Sequence, residues 1–364
     1  MQNYNNYLIK QIIFRTFAPV KRNFAYYSLP FADSYYEVSG NEVKILPSYS
    51  EVGDESGYVI APFATTPDSP IVMIPQTNAE EHPLPLADDV PDGGKCPFTE
   101  PDETYRTAFT RVHAAIASGE CHKIVLSRCQ KVSVDNVDAF KLFVRTCRKY
   151  PQLMVQLFST PHTGMWLIAT PEVLIEGKDD AFRTMALAGT MPFSEHLGTW
   201  SDKNRNEQHI VEHYIEETLA PFVASLTKNG PYTSHAGHLV HLRTDFHFQL
   251  ADGKTIGDIV GHLHPTPAVC GIPTDKARDI LQSVESHKRR YYSGFAGPVG
   301  VNGETHLYVS LRCIELISNP ITTGMLYAGG GIMPDSTCLS EWNETEQKMQ
   351  TIHSVLMKNL KNEE

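Results

Sequence analysis

Residues 327–349 read YAGGGIMPDSTCLSEWNETEQKM, and this stretch joins an apolar strand pattern to a charged helix pattern through three consecutive glycines. Backbone N–H groups can approach an anion closely at such glycines, because no Cβ stands in the way. On the helix that follows, Glu341, Glu344 and Lys348 are three and four residues apart and lie on one face. The spacing alone favours a solvated charged helix. The glycines before it also allow a second interpretation, a binding site at the junction of strand and helix.

Two charged residues elsewhere in the chain are candidates for the same site. Glu207 stands near the start of the helix pattern DKNRNEQHIVEHY, where a glutamate usually serves only the helix dipole or a cap. Mg²⁺ is, however, commonly bound through one or two carboxylates, so Glu207 and Glu344 form a candidate metal-binding pair. Lys123 lies within the strand pattern HKIVLSR. A strand lysine most often faces outward at an edge, whereas an inward-facing one is a candidate general base.

Helix and strand patterns alternate along the chain. Asp102 opens a helix whose apolar residues recur at positions 105, 109, 112 and 116, and Gly119 ends it. The alternation favours a mixed α/β fold of the α+β type, with large, mainly antiparallel sheets and helices outside them. Further helices are predicted at residues 138–150, 207–226 and 274–284, and strands at residues 122–132, 153–160, 164–177, 306–316 and 321–333.

Residues 65–100 are rich in proline, aspartate and glycine, which predicts an irregular linker. Before this linker, the alternating segments at residues 35–40 and 56–63 predict antiparallel strands of a sheet that later strands complete. We therefore expect residues 1–100, linker included, to be a scaffold part of the fold. Residues 101–364 are expected to form the catalytic domain.

The composition argues against several classes of partner. The 364-residue chain has a formal charge of -11, which opposes binding to nucleic acid or to an anionic membrane. No stretch approaches the roughly 18 apolar residues of a membrane span. Seven cysteines without a CxxC pair are typical of reduced thiols. Residues 1–32 are basic, but Lys10 and Gln11 break their apolar run, so we predict no targeting signal. We expect a cytoplasmic monomer.

Ten motifs follow one another in order from about residue 101 to the C-terminus: HKIVLSR, ATPEVL, LAGT, DKNRNEQHIV, LVHL, LHPTPAVCG, SGFAGPVG, YVSLR, YAGGGI and SEWNETEQK. Together they resemble the motifs of the chorismate-utilising enzymes, the family of anthranilate, aminodeoxychorismate, isochorismate and salicylate synthases. The resemblance implies the anthranilate synthase-like fold, in which two large sheets enclose the active site. It also implies that residues 101–364 bind a small molecule, chorismate, as the substrate.

The resemblance assigns roles to individual residues. Lys123 would be the base that activates water for attack on the ring, and Glu172 the acid that protonates the departing hydroxyl. Glu207 and Glu344 would bind Mg²⁺, the one cofactor expected, and Glu341 would hold a metal-bound water. The enolpyruvyl carboxylate would be held by Arg312, Lys348 and backbone N–H groups near Gly329 and Gly330, and the ring site would be lined by Gly189, Thr190 and His241.

Four positions distinguish reactions within the family. Anthranilate synthases, which use ammonia, typically carry glutamine in place of Lys123, and aminodeoxychorismate synthases typically carry a nucleophilic lysine in place of Ala188. Salicylate synthases, which go on to eliminate pyruvate, tend to carry threonine at the position of Ala268 and tyrosine at that of Phe295. The resemblance therefore implies that this chain forms isochorismate, by adding water to the ring of chorismate and removing the ring hydroxyl.

Salicylate synthase is the nearest alternative. A non-catalytic relative is the alternative from another class, and it would be expected to have lost a catalytic or metal-binding residue. A Mg²⁺-dependent hydrolase on the same carboxylates would not need Arg312 and Lys348. The sequence leaves the pathway open, with menaquinone synthesis as the first hypothesis and a catechol siderophore or salicylate route as the second.

Overall fold

The computed structural model describes residues 23–87, 99–134, 136–193, 199–236, 239–317 and 320–356. The basic N-terminal segment up to residue 22, on which the prediction about targeting rests, lies outside the described residues. So do residues 88–98 of the predicted linker. Of the helices that the structure describes, none is long and apolar enough to cross a membrane.

The described strands form two antiparallel sheets of nine strands each. Strands are numbered in chain order. From edge to edge, the first sheet contains β14 (Gly271–Ile272), β7 (Lys123–Ser133), β18 (Thr323–Ile332), β17 (Cys313–Ile317), β9 (Gly164–Thr170), β8 (Met154–Thr160), β1 (Asn23–Ser28), β2 (Ser34–Gly40) and β6 (Glu80–Pro83). The second contains β12 (Val223–Ala236), β13 (Leu239–Leu250), β11 (Ala181–Pro192), β10 (Val173–Lys178), β16 (Glu304–Val309), β15 (Phe295–Val299), β4 (Gly57–Ala61), β5 (Ile71–Pro75) and β3 (Lys44–Leu46).

Helices cover the outer faces of the two sheets. Three apolar layers result, one between the sheets and one on each outer face, because each sheet is apolar on both sides. The layer between the sheets contains Tyr27 and Phe158 of the first sheet and Tyr58 and Ile60 of the second. The α-helices are α1 (Glu103–Ala117), α2 (Ala139–Lys149), α3 (Asp202–Leu219), α4 (Ile256–Leu263), α5 (Thr274–Val284) and α6 (Cys338–Leu356), and short 3₁₀ helices lie at Tyr49–Glu51 and Ala220–Phe222.

The predicted α+β fold with two large antiparallel sheets is confirmed. Strands from the N-terminal part belong to both sheets, since β1 pairs with β8 and β4 pairs with β15. Local signals located several elements correctly. The side chain of Asp102 caps α1 by accepting a hydrogen bond from the Tyr105 backbone N–H at 2.8 Å. The α5 helix spans the residues that were predicted for it.

Four predicted elements differ from the structure. The strand predicted at 164–177 is two strands, β9 and β10, which belong to different sheets. The linker prediction is wrong for β5, where the apolar run of residues 71–74 supplies a buried strand between two prolines. The helix predicted at 207–226 ends earlier, because Pro221 interrupts it and the chain continues as β12 from Val223. The strand predicted at 306–316 is two strands, β16 and β17, separated by a turn in which Arg312 has φ +47°.

The layer between the sheets yields a stability prediction. Ile60 of β4 is 0% exposed in this layer, whereas Ile45 of β3, in the same sheet, is 52% exposed. Ile60→Ala should lower the free energy of unfolding by about 2–5 kcal/mol, because it removes apolar contacts and leaves a cavity. Ile45→Ala is the matched control and should change it by no more than about 0.5 kcal/mol. Chemical denaturation followed by circular dichroism measures both, and equal losses would contradict the assigned layer.

Candidate active site

A central cavity opens between the two sheets, where β7 and β18 of the first sheet face β11 and β13 of the second. Strands of both sheets and helices α3 and α6 contribute its walls, so residues far apart in sequence meet there. Most of the residues predicted for the site line this cavity: Lys123, Glu172, Gly189, Thr190, Glu207, His241, Ala268, Arg312, Gly329, Glu344 and Lys348.

Lys123 faces inward from β7 and is only 1% exposed. Its Nζ lies 2.9 Å from Oε1 of Glu207, which reaches it from α3. Gly331 of β18 makes this contact possible. A Cβ at Gly331 would stand 2.7 Å from Glu207 Oε1 and 3.0 Å from Lys123 Cε, so a larger residue would collide with the ion pair. The interpretation of Lys123 as an outward edge lysine is therefore wrong.

Helix α3 is fixed to the second sheet by the residue next to Glu207. The buried Gln208 side chain accepts a hydrogen bond from the Ala188 backbone N–H at 3.0 Å and donates to the Ala186 carbonyl at 3.2 Å. Glu207 Oε2 accepts a further bond from the Gly189 N–H at 3.2 Å. Burial opposes ionisation of Glu207, but the Lys123 ammonium outweighs it and lowers the pKa of the carboxyl. Glu207 is therefore a carboxylate at neutral pH.

The pKa of Glu172, unlike that of Glu207, is raised. Glu172 follows β9 and is buried, and burial raises its pKa to about 7 even though Lys123 and Lys348 act to lower it. Thr266 Oγ1 lies 3.5 Å from Glu172 Oε1, at the limit of a hydrogen bond. Near neutral pH a substantial fraction of Glu172 therefore carries a proton, as a general acid requires. The cavity thus holds the side chain of Lys123 and a carboxylic acid within one enclosure.

Arg312, with His241 beside it, forms the cationic side of the cavity. Arg312 has φ +47°, a conformation that is rare for a residue with a Cβ and that is found at functional sites. Its guanidinium donates a hydrogen bond to His241 Nε2 at 2.8 Å. His241 Nδ1 lies 3.2 Å from both the Gly189 carbonyl and Thr190 Oγ1. Burial lowers the pKa of Arg312 to about 10, so the guanidinium stays charged at neutral pH.

Helix α6 contributes a second cation. Lys348 Nζ lies 2.7 Å from Glu344 Oε1, one helical turn earlier, and donates a hydrogen bond to the Gly329 carbonyl at 2.8 Å. The charged face that the sequence predicted for this helix is therefore turned toward the cavity rather than to solvent. Two cations, Arg312 and Lys348, line one enclosure and can hold the carboxylate of a ligand.

An adjoining acidic cavity, which shares Thr190 and Gly331 with the central one, is lined by Glu207, Glu341 and Glu344. Burial and the nearby Glu344 raise the pKa of Glu341 to about 7, and Oε2 of Glu341 is buried without a hydrogen-bond partner.

Clustered carboxylates with an unsatisfied oxygen fit a Mg²⁺ ion, which prefers oxygen ligands. Within the described ranges, however, no three His, Cys, Asp or Glu side chains are arranged as a set of metal ligands.

Besides Glu341, which lines only the acidic cavity, two predicted residues do not line the central cavity. Phe295 packs in the layer outside the second sheet, with its ring 5.0 Å from that of His264 and 6.0 Å from that of Tyr49. Gly330 points to the other face of β18, where a Cβ would lie 2.9 Å from Glu341 Oε2. Side chains alternate along a strand, so a side chain at position 329 or 331 would face the cavity and one at position 330 would not, and Gly330 is not part of the lining.

Several residues of the lining were not predicted. Tyr327 could have been found from the sequence, because it lies two residues before Gly329 and shares its face of the strand. Tyr292 stacks on Tyr327 with ring centroids 5.5 Å apart, and no local signal indicated it. The remaining unpredicted lining residues are Val125, Pro171, Leu187, Ala188, Val269, Leu311, Ala328 and Gly331.

Known proteins are similar to this chain in both sequence and fold. The chain is 28% identical over 263 residues to the isochorismate synthase EntC of Escherichia coli (strain K12). The alignment covers 69% of this chain and 66% of that protein. It is 26% identical over 272 residues to anthranilate synthase component 1 of Neisseria meningitidis serogroup C, covering 70% of this chain and 54% of that protein.

The solved structure of MenF, the menaquinone-specific isochorismate synthase from Escherichia coli, superimposes with a TM-score of 0.75 at 24% identity. The superposition covers 92% of this chain and 88% of that one, and it supports the fold alone. The family model described as chorismate binding enzyme matches residues 92–357, which include the predicted site residues. This chain belongs to the chorismate binding enzyme family.

Proposed function

We propose that the protein converts chorismate to isochorismate and that it depends on Mg²⁺. The observation that carries the proposal is the central cavity itself, in which Lys123 and Glu172 stand with the two cations Arg312 and Lys348. Family membership supplies chorismate, and the named isochorismate synthase relative supports the reaction. A non-catalytic relative would have no need to keep this set of charges buried.

Two side chains of the cavity account for the two proton transfers of the proposed reaction, one as water adds to the ring and one as the hydroxyl leaves it. In its neutral amine form, Lys123 takes a proton from water as the water oxygen bonds to a ring carbon, and Glu207, 2.9 Å away, balances the charge of the ammonium that results. The ring double bond shifts, and the bond from a second ring carbon to its hydroxyl breaks. Glu172 donates the proton with which that hydroxyl leaves as water. One water enters and one leaves, so the product is an isomer of chorismate.

Charge complementarity explains how an acidic protein binds a dianion. The net charge of -11 is spread over the whole chain, whereas Arg312 and Lys348 are concentrated at the cavity. Arg312 can form a bidentate contact with one carboxylate of the substrate. Mg²⁺, bound through Glu207 and Glu344, would supply further positive charge for the other carboxylate.

The lining favours isochorismate over the other products of the family. Ala188 and Ala268, two of the distinguishing positions, both line the cavity. Neither offers the lysine or threonine of the aminating and pyruvate-eliminating relatives. Phe295 no longer supports this choice by direct contact, because it lies outside the cavity. Salicylate synthase therefore remains the alternative, and product analysis separates the two.

We also propose that the product enters menaquinone synthesis, with a catechol siderophore or salicylate route as the alternative, since each consumes isochorismate. Deleting the gene and measuring quinones and catechols in the cells would separate these routes. We propose a monomer, which light scattering coupled to size-exclusion chromatography would test.

The first prediction concerns the product. Purified protein incubated with chorismate and Mg²⁺ should form isochorismate without ammonium, and EDTA should abolish the reaction because the metal charge is removed. Chromatography with mass detection identifies the products. Salicylate with pyruvate would favour the alternative. An aminated product, or no product at all, would contradict the proposal.

The second prediction concerns the base. Lys123→Ala should lower kcat by about two to four orders of magnitude, the usual contribution of a general base. Lys131, an exposed lysine on the same strand, provides the matched control, and Lys131→Ala should keep normal turnover. Near-normal turnover of Lys123→Ala would remove Lys123 from the mechanism. Circular dichroism and thermal unfolding verify that both variants fold.

The third prediction concerns pH. Burial raises the pKa of Glu172 to about 7, so the protonated acid predominates below that pH and is lost above it. The value of kcat/KM should therefore fall on the alkaline side with an apparent pKa near 7. In Glu172→Gln, which cannot titrate, the residual kcat/KM should lack this decline. An unchanged alkaline limb in that variant would assign the ionisation to another group.

A further inference from the structure

Lys203, in the first turn of α3, has no role in the proposed reaction, yet it reaches the acidic cavity. Its Nζ lies 2.9 Å from Glu341 Oε1 and donates a hydrogen bond to Ser336 Oγ at 3.2 Å. Ser336 Oγ donates in turn to the same Glu341 oxygen at 2.7 Å. Glu341 is 2% exposed at its side chain and Lys203 is 27% exposed. A partly solvated ammonium thus neutralises an almost fully buried carboxylate.

Each carboxylate of the acidic cavity is paired with a different lysine. Glu207 pairs with Lys123 at 2.9 Å, and Glu344 pairs with Lys348 at 2.7 Å. Those two lysines have their own tasks in the proposed reaction, as base and as substrate ligand. The third pair differs, because Lys203 is not among the residues that line the central cavity. Its contacts in the cavity are with Glu341 and Ser336, so neutralising Glu341 is the task that its position explains.

We propose that Lys203 is a displaceable counter-cation: its ammonium neutralises Glu341 in the metal-free protein and is expelled to solvent when a divalent cation enters the acidic cavity. This inference rests on the proposed Mg²⁺ site. Both cations compete for the same carboxylate, because either one supplies the positive charge that keeps this buried group ionised.

The ammonium of Lys203 and a divalent cation differ in which oxygens of Glu341 they can satisfy. Lys203 occupies Oε1 of Glu341 and leaves Oε2 buried without a hydrogen-bond partner. A divalent cation that bound both oxygens of Glu341 would satisfy the one that the ammonium leaves without a partner. The long, flexible stem of lysine lets the ammonium return to water at small cost, since the side chain is already 27% exposed.

Displacement has thermodynamic consequences. The ammonium stabilises the metal-free state and not the metal-bound state, so it weakens the apparent affinity for Mg²⁺. Removing the ammonium should therefore affect only one of the two states. It should destabilise the metal-free protein, leave the metal-bound protein unchanged and so strengthen metal binding. An ordinary structural ion pair would stabilise both states equally.

Lysine labelling tests the displacement directly. The full-length protein is treated briefly with an amine-acylating reagent, with and without saturating MgCl₂, and each lysine is quantified by mass spectrometry. Labelling of Lys203 should rise severalfold with Mg²⁺, and EDTA should reverse the rise. Lys228 of β12 is the internal control. It pairs on the surface with Glu216 of α3, the helix that also carries Lys203, at a distance of 2.9 Å, and it is 47% exposed. Its labelling should not change.

A variant gives an independent readout. In Lys203→Gln the midpoint of thermal unfolding should fall in EDTA and should match the wild-type value in saturating Mg²⁺. The apparent Kd for Mg²⁺, obtained from the dependence of the midpoint on metal concentration, should fall by roughly fivefold, the factor expected for losing one partly exposed ion pair. Lys228→Gln is the matched control and should leave the Kd unchanged.

The outcomes separate this inference from the function proposed above. A Mg²⁺-dependent midpoint together with unchanged labelling of Lys203 would overturn the displacement and leave the metal site standing. An equal fall of the Lys203→Gln midpoint in EDTA and in Mg²⁺ would overturn it as well, in favour of a structural pair. A wild-type midpoint and labelling pattern that both ignore Mg²⁺ would overturn the metal site and the displacement together.

Discussion

The buried ion pair between Lys123 and Glu207 is stable only because the surrounding structure holds the two groups in place and satisfies their remaining hydrogen bonds. Taking two charges out of water costs several kcal/mol per ion, and the pair recovers this only with good geometry and further hydrogen bonds. The structure supplies both. Gln208 fixes the helix that carries Glu207, and the Gly189 N–H satisfies the second carboxylate oxygen. The absence of a side chain at Gly331 leaves the space in which the two charged groups meet.

Local sequence signals predicted the elements but not the way in which they face each other. The Asp102 cap and the apolar spacing of α1 depend on neighbours within one helix, so the sequence contains all the information they need. The inward orientation of Lys123 depends on the pairing of β7 with β18, which no local pattern encodes. The same holds for Gly330, because choosing among three consecutive glycines requires knowing which face of β18 meets the cavity.

The bulge at Gly189 illustrates a further limit of sequence reasoning. The register between β11 and β13 shifts between Ala188 and Thr190, and this shift places Thr190 opposite His241. Gly189 has φ +62°, which glycine adopts without strain. The resemblance to a family supplied Gly189, Thr190 and His241 together, whereas no local pattern indicates the register shift that pairs Thr190 with His241. A single inserted residue therefore decides which residue of β13 stands opposite Thr190.

Glu172 and Glu341 reach a similar pKa, about 7, for different reasons, and the difference separates their roles. For Glu341 the like charge of Glu344 adds to burial, so any cation entering the acidic cavity favours its ionised form. For Glu172 burial acts against the nearby ammonium groups of Lys123 and Lys348. A dianionic substrate that draws on those cations would reduce their effect and add negative charge, and both changes favour retention of the proton. In the proposed reaction, substrate binding therefore helps Glu172 to keep the proton on which the departure of the hydroxyl depends.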